Sequence, residues 1–139
     1  MDEYQFQEAD AEFIAERIEE YKSDLRERLL NFSVEVIRFL SSVPYKREYD
    51  VLKYQLSKSA TSIGANYEES QSTTFKEFIQ KLRITLREAN ESKYWLNIID
   101  RLNLGDKNKR KLLMKESQEI SLIIGSIVSK ADRKAKNAK

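Results

Sequence analysis

No cysteine and no histidine occur in this chain of 139 residues. Their absence removes disulfides, thiol nucleophiles, imidazole acid–base groups and the two commonest transition-metal ligands at once. Most enzyme classes lose their usual residues with them. Three glycines and one proline leave little turn material, and the glycines stand singly at 64, 105 and 125, so no glycine-rich phosphate loop or nucleophile elbow can be built from them. No apolar run approaches the about 20 residues that a membrane span requires. The opening MDEYQF is acidic and unlike a signal peptide. These absences set the expectation of a cytoplasmic protein that is not an enzyme, holds no cofactor or metal and does not engage a membrane.

What the chain does have is 40% apolar and 35% charged residues, a composition suited to long amphipathic helices. From Ile14 the apolar positions run Ile14, Ile18, Tyr21, Leu25, Leu29, Phe32, Val36, Phe39 and Val43, alternating steps of four and three as a heptad seam does. The seam predicts one long helix, with a break admitted near Ser23 and Asp24, ending before Pro44. Leu30, Val34 and Ile37 widen its stripe, and a stripe that broad suits a helix touching two neighbours. A second helix is predicted from about Lys46–Glu48 to Glu69–Gln71, and a third from the capping-box pattern of Thr74 and Glu77. Leu104-Gly105-Asp106 closes the third, and a fourth runs from about Asn108 to Lys130 or beyond. Four such helices with short connections predict an all-α, antiparallel up-down-up-down four-helix bundle. The predicted core includes Leu56, Ala60, Ile63, Phe78, Leu82, Leu86, Ile99, Ile123 and Ile127.

The organisation predicted around it has three parts. Residues 1–20 form an acidic amino-terminal segment, helical or partly disordered, residues 21–131 the bundle, and residues 132–139 a basic tail without an apolar face. The net charge of +2 is unevenly spread, because residues 1–20 carry eight acidic residues against Arg17 alone. Basic clusters occur at Lys107, Lys109, Arg110, Lys111 and Lys115, and again around Arg133 and Lys134. Such clusters favour anionic partners, RNA or DNA among them; solvated helix ends are the plainer reading.

The second helix carries two adjacent stripes. Leu52, Leu56, Ala60, Ile63 and Tyr67 form an apolar one, and Gln55, Ser59, Ser62, Asn66 and Glu69 a polar one at the core's edge. The polar stripe is read as a satisfied buried network joining helices two and three, with a ligand-contacting surface as the competing reading. Gly64, costly in mid-helix, signals another backbone close by. Glu68 with Glu69, and Glu88 with Glu91, are paired carboxylates, but bundle metal sites combine glutamates with Glu-x-x-His pairs and no histidine is present. Trp95 suits core packing, with base stacking as the sharper alternative. Tyr45, Tyr49 and Tyr54 at the start of helix two suit an interface as well as a core.

Arg28 with Phe32, Gln55-Leu56, SATSIGANYEES from Ser59 to Ser70, Phe78, Lys81-Leu82 and KYWL from Lys93 to Leu96 together resemble the four-helix-bundle family of 23S ribosomal RNA intervening-sequence proteins. That family is in turn similar to the accessory variability determinants of bacterial diversity-generating retroelements. The resemblance spans about residues 24–130. It implies a bacterial bundle assembled as a homopentameric barrel and, for retroelement members, nucleic-acid binding and a reverse transcriptase partner. Retroelement members are strongly basic, whereas this chain is near neutral with an acidic amino terminus. The expected function is therefore a homo-oligomer binding nucleic acid through repeated basic patches, with a protein–protein scaffold as the alternative.

Overall fold

The computed structural model describes residues 8–137, with side chains described from Asp24 onward. Four helices follow one another: α1 Glu8–Leu40, α2 Arg47–Ser70, α3 Phe75–Arg101 and α4 Lys107–Asn137. Contacts between them fix an antiparallel order. Along α1 the residue numbers rise while their α2 partners fall, from Arg26 with Glu68 to Ser33 with the Ala60 carbonyl. The same inverse register links α2 to α3 through Glu69 with Lys81 and Ser59 with Ser92, and α3 to α4 through Arg83 with Asp132 and Asp100 with Arg110. α4 closes the bundle against α1 through Arg28, whose guanidinium reaches both Glu116 and Glu119.

The start of α3 has a clear local cause, whereas α2 starts from Lys46 with no side-chain cap. The Thr74 hydroxyl accepts from the Glu77 amide while the Glu77 carboxylate accepts from the Thr74 amide, a complete capping box. α1 stops at Leu40, a few residues earlier than the proline alone requires, and residues 41–43 continue as hydrogen-bonded turns that still bury Val43. α1 is continuous through Ser23 and Asp24, so the break admitted there is not present. α4 extends to Asn137, with Ala131 buried and Ala135 packed on the core; residues 132–137 of the predicted tail are therefore the last turns of a helix that keeps an apolar side. Ile14, Ile18 and Tyr21 fall among the side chains the structure does not describe, as do residues 1–7 entirely.

The core is the heptad seam of α1 from Leu25 to Val43 facing Leu56, Ala60, Ile63 and Tyr67 of α2, Leu82, Ala89, Leu96 and Ile99 of α3, and Leu113, Ile120 and Ile124 of α4. Phe78, Leu86, Ile123 and Ile127 pack on it only half-buried. They lie on the flanks of their helices' apolar stripes, where a bundle of four leaves solvent access. A Cβ on Gly64 would stand 3.5 Å from Leu29 Cβ and 3.7 Å from its backbone carbonyl carbon, so the glycine marks the close crossing of α1 over α2. Leu30, Val34 and Ile37 remain 56%, 39% and 47% exposed, an apolar flank of α1 that the subunit's own helices do not cover. Among the described residues no helix is long and apolar enough to cross a membrane.

Candidate nucleic-acid interface

The α3–α4 connection turns through two left-handed residues, Asn103 at φ 53° and Gly105 at φ 73°. Gly105 is required there twice over, because a Cβ would also lie 2.8 Å from the Phe39 ring and 2.9 Å from Ser42 Oγ. Asp106 then starts α4, its carboxylate accepting from the Lys109 amide at 2.8 Å. The Asp106 amide donates to Ser42 Oγ at 2.9 Å. The α3–α4 turn is thereby fastened to the α1–α2 connection, and both connections occupy one end of the bundle.

Arg110 is the largest departure from the sequence reading. Placed there among the nucleic-acid-binding cations, it is only 3% exposed. Its Nε donates to Asp100 Oδ1 at 2.7 Å and its Nη1 to the Leu104 and Gly105 carbonyls at 2.7 and 3.2 Å. The guanidinium is consumed in holding the left-handed turn, whose carbonyls no helix satisfies. Lys111 adds a bond to Asp100 Oδ2 at 3.0 Å. Hydrogen bonds from Arg110 first, and then from Lys111, hold the Asp100 carboxyl below the usual carboxylate range.

Lys107, Lys109 and Lys115 are exposed and make no ion pair among the described residues. Lys109 borders a groove between α1 and α4 that also includes Phe32, Leu112 and Glu116. Arg133 and Lys134 are exposed at the opposite end of α4, about 27 Å of helix beyond Lys115 at 1.5 Å per residue, and the Lys134 ammonium stands 5.5 Å from the Phe75 ring. The two basic clusters are thus separate patches within a subunit. Conversely, the paired connections gather Lys46, Arg47, Lys53 and Arg101 at the same end as Lys107 and Lys109. Sequence spacing kept these groups apart; only the shared end of antiparallel helices joins them.

The polar stripe of α2 is less of a network than its spacing suggests. Ser59 is buried and accepts from Ser92 Oγ at 2.8 Å, and Glu69 pairs with Lys81 at 2.6 Å. Ser62 and Asn66 turn back to carbonyls of their own helix, Ser62 to Lys58 and Asn66 to Ser62. Gln55 is half-buried and makes no hydrogen bond among the described residues. A helical serine or asparagine finds an i−4 carbonyl without help from a neighbour, which is why even spacing did not translate into cross-helix bonds. Arg28 takes no part in this stripe, its guanidinium donating instead to Glu116 and Glu119 of α4.

Beside the stripe, burial first and then Glu91 push the Glu88 carboxyl up, against Lys58 and Arg87. Trp95 is half-buried, its indole donating to Glu91 at 3.2 Å. Among the described residues no three Asp or Glu side chains gather as a metal site would require.

This arrangement of four antiparallel helices with the Arg28, Ser59–Ser70 and Trp95 positions in place can be set beside known proteins. The family described as 23S rRNA-intervening sequence protein matches residues 21–126. The chain belongs to that family. Among solved structures, a protein of unknown function from the S23 ribosomal protein family of Bacteroides thetaiotaomicron is similar, with a TM-score of 0.65 and 32% identity over 75% of this chain and 97% of that one. No curated protein matches. Within the 23S rRNA-intervening sequence protein family match fall the α3–α4 turn, Arg110, Lys107, Lys109 and Lys115, whereas Arg133 and Lys134 lie beyond its end.

Proposed function

We propose that this 23S rRNA-intervening sequence protein is a non-enzymatic homo-oligomer, a ring of five subunits, that binds nucleic acid through basic patches repeated by symmetry. The observation that carries the binding reading is the exposure of Lys107, Lys109 and Lys115, free of ion pairs among the described residues, over the amino-terminal turns of α4. The helix dipole places positive potential at that terminus and adds to the lysines' own. In one subunit the patch neutralises few phosphates; repeated around a ring it forms a band. The uncovered flank of Leu30, Val34 and Ile37 supports association, since an apolar strip on a long helix is stabilised by a second copy that shields it from water. A reverse transcriptase partner, as for a retroelement accessory protein, enters the proposal through the family resemblance alone.

Titration of labelled structured RNA and duplex DNA at low and moderate salt tests the binding. Affinity is expected to fall linearly in logarithm with the logarithm of salt concentration, largely independent of sequence. Neutralising the acidic residues of segment 1–20 with amides is expected to tighten binding only modestly, through overall charge and not by competition at the patch, because α1 carries residues 8–20 to the end of the bundle opposite Lys107 and Lys109. Amide replacement is a cleaner change than truncation, since α1 begins at Glu8. Absence of micromolar binding at low salt would end the nucleic-acid reading and leave a protein–protein scaffold. Light scattering tests the ring separately, and a monomer mass overturns it.

A further inference from the structure

Tyr45 is the most exposed large hydrophobic side chain among the described residues, at 91%. It follows Pro44 in the α1–α2 connection and precedes Lys46, the extended residue from which α2 starts. An aromatic ring held in water has no role in this subunit's core. Nor is it simply loose, because the Lys53 ammonium stands 5.4 Å from its centroid, a cation–π distance. Lys53 comes from the second turn of α2, so a helix side chain steadies the ring while nearly all of its surface stays open.

The surroundings of that ring are basic. Asp106 donates to Ser42 and Gly105 packs on Phe39, so the α3–α4 turn carries Arg101, Lys107 and Lys109 to the end that bears Tyr45. Lys46, Arg47, Lys53, Arg101, Lys107 and Lys109 make no ion pair among the described residues. The acids at this end are Glu48 and Asp50 in the first turn of α2, Asp106 capping α4, Glu35 beside Lys109 but paired with Arg38, and Asp100 already held by Arg110 and Lys111. The free cations outnumber the free carboxylates, and they flank an open aromatic face.

We infer that the two-connection end of the bundle takes unpaired nucleotides, one base stacking on Tyr45 while Arg47, Lys107 and Lys109 meet the adjoining phosphates. The inference rests on the nucleic-acid reading above and specifies its ligand. A duplex hides its base faces in its own stack, whereas a single strand or loop can offer one to a side-chain ring. Cations alone would hold duplex and single strand alike; the ring gives the preference.

Anisotropy titrations of the full chain with labelled oligo(U), oligo(dT) and a duplex of matching length, at low salt, test this. Tyr45→Ala is expected to weaken both single strands by about 5- to 150-fold, the range found for one stacked base, and to leave the duplex unchanged. Tyr45→Phe keeps the face and is expected to bind single strands as the parent does. Lys107→Gln with Lys109→Gln is expected to weaken single strand and duplex together. Single-strand affinity unaltered by Tyr45→Ala, or lost equally for the duplex, overturns the stacking role while leaving the nucleic-acid reading intact. Failure of the parent to bind any of the three probes overturns both. Because Tyr45 is outside the core, a loss at Ala cannot be assigned to unfolding.

Discussion

Arg110 Nε lies 2.7 Å from Asp100 Oδ1, and through this pair α3 and α4 are joined across a left-handed turn. The same guanidinium satisfies the Leu104 and Gly105 carbonyls, so three backbone and side-chain acceptors depend on one buried cation. Arg110→Ala is expected to destabilise the fold by about 2–3 kcal/mol, below the full range for a broken buried pair because Asp100 keeps some contact with water. Lys107→Ala and Lys109→Ala, by contrast, are expected to change stability by no more than about half a kcal/mol. Chemical denaturation of the three variants checks the contrast; equal effects would remove the distinction between structural and surface cations.

Acid titration separates two carboxylates with opposite shifts. Asp100 has a folded value below its unfolded one of about 3.9, so its stabilising contribution is present above that pH and disappears as the pH falls through the folded value. Asp100→Asn should therefore cost stability at pH 7 and flatten the loss seen on acidification. Glu88 is shifted the other way: the folded state holds its proton longer, and stability declines as pH rises from the unfolded value of about 4.3 through the folded one. Glu88→Gln is expected to be at least as stable as the parent at pH 7. Thermal melts at pH 3, 5 and 7 measure both, and a stabilising Asp100→Asn would contradict the assignment.

Two glycines should respond differently to the same substitution. At Gly64 an alanine Cβ meets Leu29 at 3.5 Å, an ordinary contact, and relieves a helix penalty of up to about 1 kcal/mol. Gly64→Ala is expected to be neutral or stabilising, while Gly64→Arg forces α1 from α2. Gly105→Ala meets both a left-handed backbone and the Phe39 ring at 2.8 Å, and is expected to cost about 2 kcal/mol or more. A destabilised Gly64→Ala would show that the crossing is tighter than these contacts.

Ser117 and Ser121 are buried on α4, and neither hydroxyl has a hydrogen-bond partner among the described residues. Replacing each by alanine removes an unsatisfied group and improves helix propensity, and is expected to raise stability by about 0.5–1 kcal/mol per site. Loss of stability in either variant would reveal a partner, such as an ordered water, that the hydroxyl serves.

The two apolar sides of the bundle can be told apart by charge. Ile63→Asp places a carboxylate in the core and should cost several kcal/mol, removing helicity. Ile37→Glu, on the uncovered flank of α1, is expected to leave the helical circular-dichroism signal unchanged while reducing the mass measured by light scattering to that of a monomer. A full-size assembly from Ile37→Glu would place the contact between copies elsewhere.

What the sequence determined by itself was the set of helices and their inward faces. The four-three spacing from Leu25 to Val43, the Thr74–Glu77 capping box and the glycine at 105 are local signals, and local backbone sterics and burial of apolar stripes act on them directly. Gly64 likewise announced a close crossing through its own cost, although only the fold showed that Leu29 was the neighbour. Tertiary structure alone decided which polar groups are spent inside the subunit and which remain for a partner. Arg110 and Lys109 sit one residue apart in a basic run, yet one faces Asp100 and two orphan carbonyls while the other faces water, because adjacent residues on a helix point about 100° apart and only one of those directions is inward. Tyr45 and Lys107 are far apart in the chain and share one end of the molecule because Asp106 and Ser42 tie two connections together. A pattern read along one chain records the period of each helix, but the rotation of each helix against its neighbours is settled by packing, and that rotation assigns the surface.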